Sequence, residues 1–119
     1  MTLRVALCLA LLSTTVVAPL SADTRESAKA EAQFGVDVAQ RGLWREAIYR
    51  WERAVEIDPT YAAAFNNLAV AYEHEGQMDK ARQAYEKAVS LDPENIQIRQ
   101  NYDLFKEIND RASADQEKP

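Results

Sequence analysis

The sequence predicts an all-α protein: a short solenoid of two helix–turn–helix repeats closed by a C-terminal capping helix. Three observations carry this. Apolar residues recur at helical spacing, Phe65, Leu68, Ala69 and Tyr72 along one stretch and Ala81, Tyr85, Ala88 and Val89 along the next. The two stretches join at Gly76, which can take the left-handed conformation that ends a helix, and close at Asp92-Pro93, where proline cannot continue one. The unit also occurs twice. Sliding the chain by one unit lays Ala28–Tyr61 on Ala62–Asn95 with ten identities, among them Gly42 with Gly76, Ala47 with Ala81, and Asp58-Pro59 with Asp92-Pro93. Small residues (Ala69, Ala81, Ala88) alternate with large ones, so two helices can approach closely while aromatic side chains fill the gaps. Neither helix can bury its apolar face alone, and the unit is built to stack.

The length of this unit and its residue pattern resemble the tetratricopeptide repeat (TPR), W-x2-L-G-x2-Y…A-x3-F…P. In residues 62–95, Phe65 stands in the Trp slot, Leu68 and Ala69 in Leu-Gly, and Tyr72 in Tyr; Ala81, Tyr85 and Pro93 fill the Ala, Phe and Pro slots. In residues 28–61, Phe34-Gly35, Ala47, Trp51 and Pro59 match, while Glu31 and Val38 replace the two aromatics of the first helix. That departure fits an N-terminal repeat with no neighbour to pack against. With the leader described next, the chain resembles a small exported bacterial member of the family. The resemblance implies a short TPR solenoid whose successive first helices line a concave groove where protein partners dock as peptides. It implies no particular ligand.

Residues 1–22 read as a secretory signal peptide. Met1–Arg4 is a short basic start, Val5–Leu12 an apolar run, and Ser13–Ala22 is rich in small residues with Pro19 breaking any helix. Cleavage is expected after Ala22, placing the mature chain across the inner membrane, in the periplasm. An uncleaved N-terminal anchor is the alternative, since Val5–Ala22 is close to the minimum length of a span. A lipoprotein is disfavoured because Cys8 follows Leu7, where a small residue is wanted. Cys8 is the single cysteine and leaves with the signal, so no disulfide supports the mature domain. The full chain carries a net charge of −5; losing Arg4 leaves 13 basic against 19 acidic residues. Such a balance offers no basic stripe for nucleic acid and repels an anionic membrane surface.

The domain is expected over residues 23–110. Asp23 to Glu26 form a capping-box-like start to a helix running to about Gln40, which should bury Phe34 and Val38 with Ala30 or Ala39. Gly42 turns the chain into Trp44–Ile57, with Ala47, Ile48, Trp51, Ala54 and Val55 inward. Trp44 and Trp51 lie two turns apart on one side, a spacing that reads as core packing in preference to a ligand cage. After the second repeat, residues 95–110 form the capping helix, with Ile98, Tyr102 and Phe105 covering the face left bare by Ala81–Leu91. Residues 111–119 are polar and read as a disordered tail.

Catalysis finds no foothold. His74 is the single histidine and no cysteine survives export, so no nucleophile–base pair of these types can form in one chain. No glycine-rich phosphate loop, calcium loop or converging ligand set is present, so neither cofactor nor metal is expected. His74 reads as a helix-end or groove residue. Carrying the family's groove onto this chain, sites recur once per repeat in rows: Val36, Val70 and Leu104; Gln33, Asn67 and Asn101; Ala32, Asn66 and Gln100; Gln40, His74 and Ile108. An apolar strip beside rows of amides suits a peptide, burying its side chains and satisfying its backbone. The competing reading of Asn67 and Asn101 is that they bind neighbouring helix backbone. The two-carboxylate clamp known in the family is not expected, because of the matching positions Ala32, Val36, Asn67, Gln97 and Asn101 only Asn67 keeps the clamp's residue. The expected function is a non-catalytic adaptor binding a protein or peptide in its groove. The alternatives are a self-associating assembly subunit and a membrane-tethered accessory protein.

Overall fold

The computed structural model describes residues 22–118. Over these residues the chain is all-helical: α1 (Ala22–Gln40), α2 (Trp44–Ile57), α3 (Ala62–His74), α4 (Met78–Leu91) and α5 (Ile96–Gln116). Each helix packs on the next in chain order, making two helix–turn–helix repeats and a terminal helix. The expected signal peptide lies outside the described residues, apart from Ala22, which opens α1.

The turns inside the two repeats are built alike. Gly42 and Gly76 have φ of 78° and 76°, conformations that only glycine adopts without strain. Around Gly42, Leu43 N–H bonds back to Val38 O at 3.0 Å and Gly42 N–H to Ala39 O at 2.9 Å. Around Gly76, Gln77 N–H bonds to Tyr72 O at 2.8 Å and Gly76 N–H to Glu73 O at 3.0 Å. This paired bonding satisfies carbonyls that a helix end leaves orphaned.

The turns between repeats share Asp-Pro but use it differently. Asp58 is fully buried; its Oδ1 accepts from Thr60 N–H at 3.0 Å and from Thr60 Oγ1 at 2.6 Å. Arg25 Nη2 stands 3.1 Å from Asp58 Oδ2, but not in line for a hydrogen bond, so that oxygen relies on the guanidinium's charge. Burial alone would raise this carboxyl's pKa; the Thr60 hydrogen bonds and Arg25 outweigh it and hold it below the ordinary range. At the second turn, Asp92 Oδ2 accepts from Asn95 Nδ2 at 3.2 Å, and Asn95 Oδ1 caps α5 by accepting from Ile98 N–H at 3.1 Å.

The core follows the small–large alternation. Ala47, Ala54, Ala81 and Ala88 are fully buried, and Trp51, Tyr85, Ile98 and Phe105 fill the space between helices. Trp51 Nε1 donates to Ala32 O at 3.0 Å, and its indole lies so close to Gly35 that a Cβ there would sit 2.5 Å from Nε1. The rings of Tyr85 and Phe105 lie 5.2 Å apart, joining α4 to α5. Hydrogen bonds from tyrosine to glutamate tie successive helices: Tyr72 to Glu52 (2.7 Å), Tyr85 to Glu73 (3.0 Å) and Tyr102 to Glu86 (3.1 Å).

Several expectations need correction. Phe34 is exposed, as is Ala30; α1 instead buries Ala28, Ala32, Gly35 and Val38. The face of α1 that carries Phe34 has no preceding helix against it among the described residues. Trp51 is core, but Trp44 is only half-buried at the repeat's edge. Asp23 lies within the first turn of α1, which already runs at Ala22. At the other end α5 continues past residue 110 to Gln116, carried by i,i+3 and i,i+4 ties such as Arg111 Nη2 with Glu107 Oε1 at 2.6 Å.

Candidate functional site: a trough along the first helices

The repeat makes α1, α3 and α5 equivalent first helices. Val36 is half-buried, Val70 is 37% exposed and Leu104 57%, so the apolar row opens progressively toward the C-terminal end. Ile108, one turn beyond Leu104, is also exposed. Between α1 and α3 the row deepens into a pocket of about 420 Å³ lined by Val36, Ala39, Gln40, Trp44, Trp51, Asn67 and Val70. A second, more polar hollow of about 410 Å³ follows, lined by Lys29, Gln33, Tyr61 and again Val36 and Asn67. The shared residues make one trough, apolar at the Trp44 end and polar at the Tyr61 end.

The amides divide into two groups. Asn67 is half-buried and lines both hollows. Gln33 is exposed at the trough, though its Nε2 already donates to Asp37 Oδ1 at 2.9 Å. Asn66 is buried, with 9% exposure, and accepts a 3.1 Å hydrogen bond from Asn101 Nδ2. These two side chains tie α3 to α5, Asn66 buried and Asn101 half-buried beside the row of Leu104. Asn101 bonds a neighbouring helix, but through a side chain and not the backbone that the competing reading named.

His74 ends α3 and stacks on Trp44, ring centroids 4.1 Å apart and planes inclined by 21°, with Nδ1 3.5 Å from Glu75 Oε1. Trp44 thus reaches from α2 to wall the apolar pocket and hold the end of α3. The sequence reading missed this contact. The residue one repeat after Trp44 is Met78, so no second aromatic marks the site. Among the described residues no group of three or more His, Cys, Asp or Glu could hold a metal ion, and no helix is long and apolar enough to cross a membrane.

Comparison with known proteins identifies the repeats. The tetratricopeptide repeat model matches residues 62–95, and a TPR repeat model matches residues 38–76. The chain is 31% identical over 85 residues to the tetratricopeptide repeat domain-containing protein PYG7, chloroplastic, of Arabidopsis thaliana, covering 71% of this chain and 28% of that protein. It is 36% identical over 89 residues to the type IV pilus assembly protein PilF of Pseudomonas aeruginosa, covering 73% and 35%. The crystal structure of MamA superposes with a TM-score of 0.66 at 32% identity, over 71% of this chain and 50% of that one. The chain therefore spans about a third of the curated relatives' length and half of the MamA chain.

Proposed function

Because tetratricopeptide repeats run through residues 38–95, we propose that this chain is a non-catalytic adaptor that seats a segment of a protein partner in the trough centred on Val36, Asn67 and Val70. The observation that carries the reading is the make-up of the trough: an apolar pocket large enough for a bulky side chain, with an amide at its rim that can both donate to and accept from a peptide backbone. The neighbouring polar hollow with Lys29 and Gln33 suits the partner's more polar flank. Similarity to a pilus assembly protein supports an assembly role.

Val70→Arg tests the trough. Val70 is exposed enough for the substitution to spare the core, yet the guanidinium would occupy the apolar pocket. Binding of a partner recovered with the unmodified chain should weaken by about 1–3 kcal/mol, with the melting temperature nearly unchanged. A variant that melts normally and binds at full strength would move the site to the convex surface around Arg45 to Arg53.

We further infer that residues 1–22 direct export to the periplasm and are then removed. The support is the order of basic, apolar and small residues in that stretch. N-terminal sequencing of chain from the soluble periplasmic fraction should begin at or near Asp23. Intact Met1 in the membrane pellet would point instead to the tethered accessory protein.

A further inference from the structure

The two internal interfaces of the solenoid show what its N-terminal end leaves open. Ala64, Leu68 and Ala71 are buried on α3, and Ile98 and Phe105 on α5, with Tyr102 between them bonded to Glu86 of α4. These positions form the face that each first helix turns toward the helix before it. On α1 they are Ala30, Phe34 and Asp37, all exposed, Phe34 by 42%. Among the described residues no earlier helix covers them.

This face is apolar at its centre and acidic at its margin. Arg50 of α2 lies 4.3 Å from the Phe34 ring centre, and its guanidinium is already shared by Glu46 at 2.8 Å and Glu31 at 3.4 Å. Asp37, one turn beyond Phe34, accepts from the Gln33 amide at 2.9 Å. Three carboxylates thus stand against one guanidinium, and the face is left net negative. Beside the ring opens a hollow of about 330 Å³ lined by Ser27, Ala30, Glu31, Phe34 and Arg50. The small side chains of Ser27 and Ala30 let another helix come close. The exposed ring of Tyr49, 5.3 Å from Arg50, extends the apolar surface onto α2.

We propose that this end face docks an amphipathic helix of a protein partner, an apolar stripe on Phe34 and basic residues along its flanks. Shape chooses a helix, because α2 on α3 and α4 on α5 already seat one at the same positions. Charge chooses a basic one. Glu31 and Asp37 stand three residues either side of Phe34, about 9 Å apart along the helix axis. An apolar side chain in the hollow therefore has a carboxylate within reach of a lysine or arginine one turn before it and one turn after. A second copy of this chain does not meet that demand. Antiparallel pairing of two α1 helices about Phe34 sets Glu31 opposite Asp37, and a head-to-tail copy presents α5, in which acids outnumber bases.

The inference does not rest on the trough. Its probe is a synthetic amphipathic helical peptide of leucine and lysine, titrated against the full chain by fluorescence anisotropy. A control peptide carries glutamate in place of each lysine. The lysine peptide should bind, more weakly as salt is added, and the glutamate peptide should not. Phe34→Ala should lower the affinity roughly 10–100-fold, as loss of a packed aromatic side chain implies, with far-UV helicity unchanged. Glu31→Gln combined with Asp37→Asn should weaken binding and flatten its salt dependence. Val70→Arg should bind like the unmodified chain, which separates the end face from the trough. Equal binding of both peptides, full binding by Phe34→Ala, or a loss in Val70→Arg would each overturn the proposal. So would sedimentation that finds an unmodified dimer which Phe34→Ala returns to monomer, since a second copy would then hold the face. A full chain that binds neither peptide would also overturn it, leaving residues 1–21 or a partner of other chemistry as the cover.

Discussion

Gly35 and Trp51 are a single solution spread over two positions. The indole sits against the α1 backbone, donates to Ala32 O and leaves no room for a Cβ at residue 35. One repeat later the same positions hold Ala69 and Tyr85: the smaller ring is matched by one more carbon on the facing helix, and both are buried. Each repeat keeps the sum of the two volumes, as close-packed interiors demand. Gly35→Ala should therefore cost about 1–3 kcal/mol by overpacking, beyond the small gain that alanine brings to a helix interior. Adding Trp51→Tyr should restore part of that loss, because it copies the pair found in the second repeat. Denaturant unfolding of the two single variants and the double variant reads the coupling; strict additivity would mean that the close contact is relieved elsewhere. Phe34 marks where reading single residues stops. Its spacing puts it on an apolar face, but periodicity cannot reveal that no helix among the described residues lies against that face.

At the scale of elements, the turns were legible because their chemistry is local. A glycine after a periodic run and an Asp-Pro before the next one mark helix ends in any context, and both glycines take the left-handed conformation expected of them. The start of α5 was legible for the same reason, with Asn95 as its cap. Its end was not: residues 111–116 are polar and lack an apolar stripe, and they stay helical through side-chain ties along the helix's own surface. The trough was half legible. Translation by one repeat put Val36 and Val70 in one row with Asn67 beside them, and all three line a single pocket. Translation alone treats the three first helices as identically turned, and it placed Asn66 and Asn101 in separate rows. In the fold their side chains meet across adjacent first helices, just as Ala32 and Asn67 line one hollow one repeat earlier. The Trp44–His74 stack was illegible in principle, since it joins residues of different repeats whose equivalents do not repeat it.

At the scale of the whole molecule, stability in a stacked array approximates a sum over nearest-neighbour interfaces. Three of the four interfaces here carry one tyrosine–glutamate hydrogen bond each: Tyr72 to Glu52 between α3 and α2, Tyr85 to Glu73 between α4 and α3, and Tyr102 to Glu86 between α5 and α4. The first pair, α1 on α2, uses the Trp51 indole instead, which does not titrate. Burial pushes the phenols of Tyr72 and Tyr85 up, and the glutamates that accept from them push further; Tyr102 is raised by the same two causes. The sign follows from the direction. A phenol whose pKa is higher folded than unfolded stabilises the fold fully below the unfolded value of about 10, and that contribution is lost as pH rises from there toward the folded value. The array should thus loosen at several interfaces together once the pH passes about 10. The informative quantity is a difference between variants. Tyr72→Phe with Tyr85→Phe removes two of the titrating groups while keeping the rings. Melting temperatures of the unmodified and doubly substituted chains, followed from neutral pH into the alkaline range, should converge above pH ~10 even if the variant melts lower at neutrality. Curves that stay parallel through that range would show that the phenol–carboxylate bonds do not govern how the array comes apart in base.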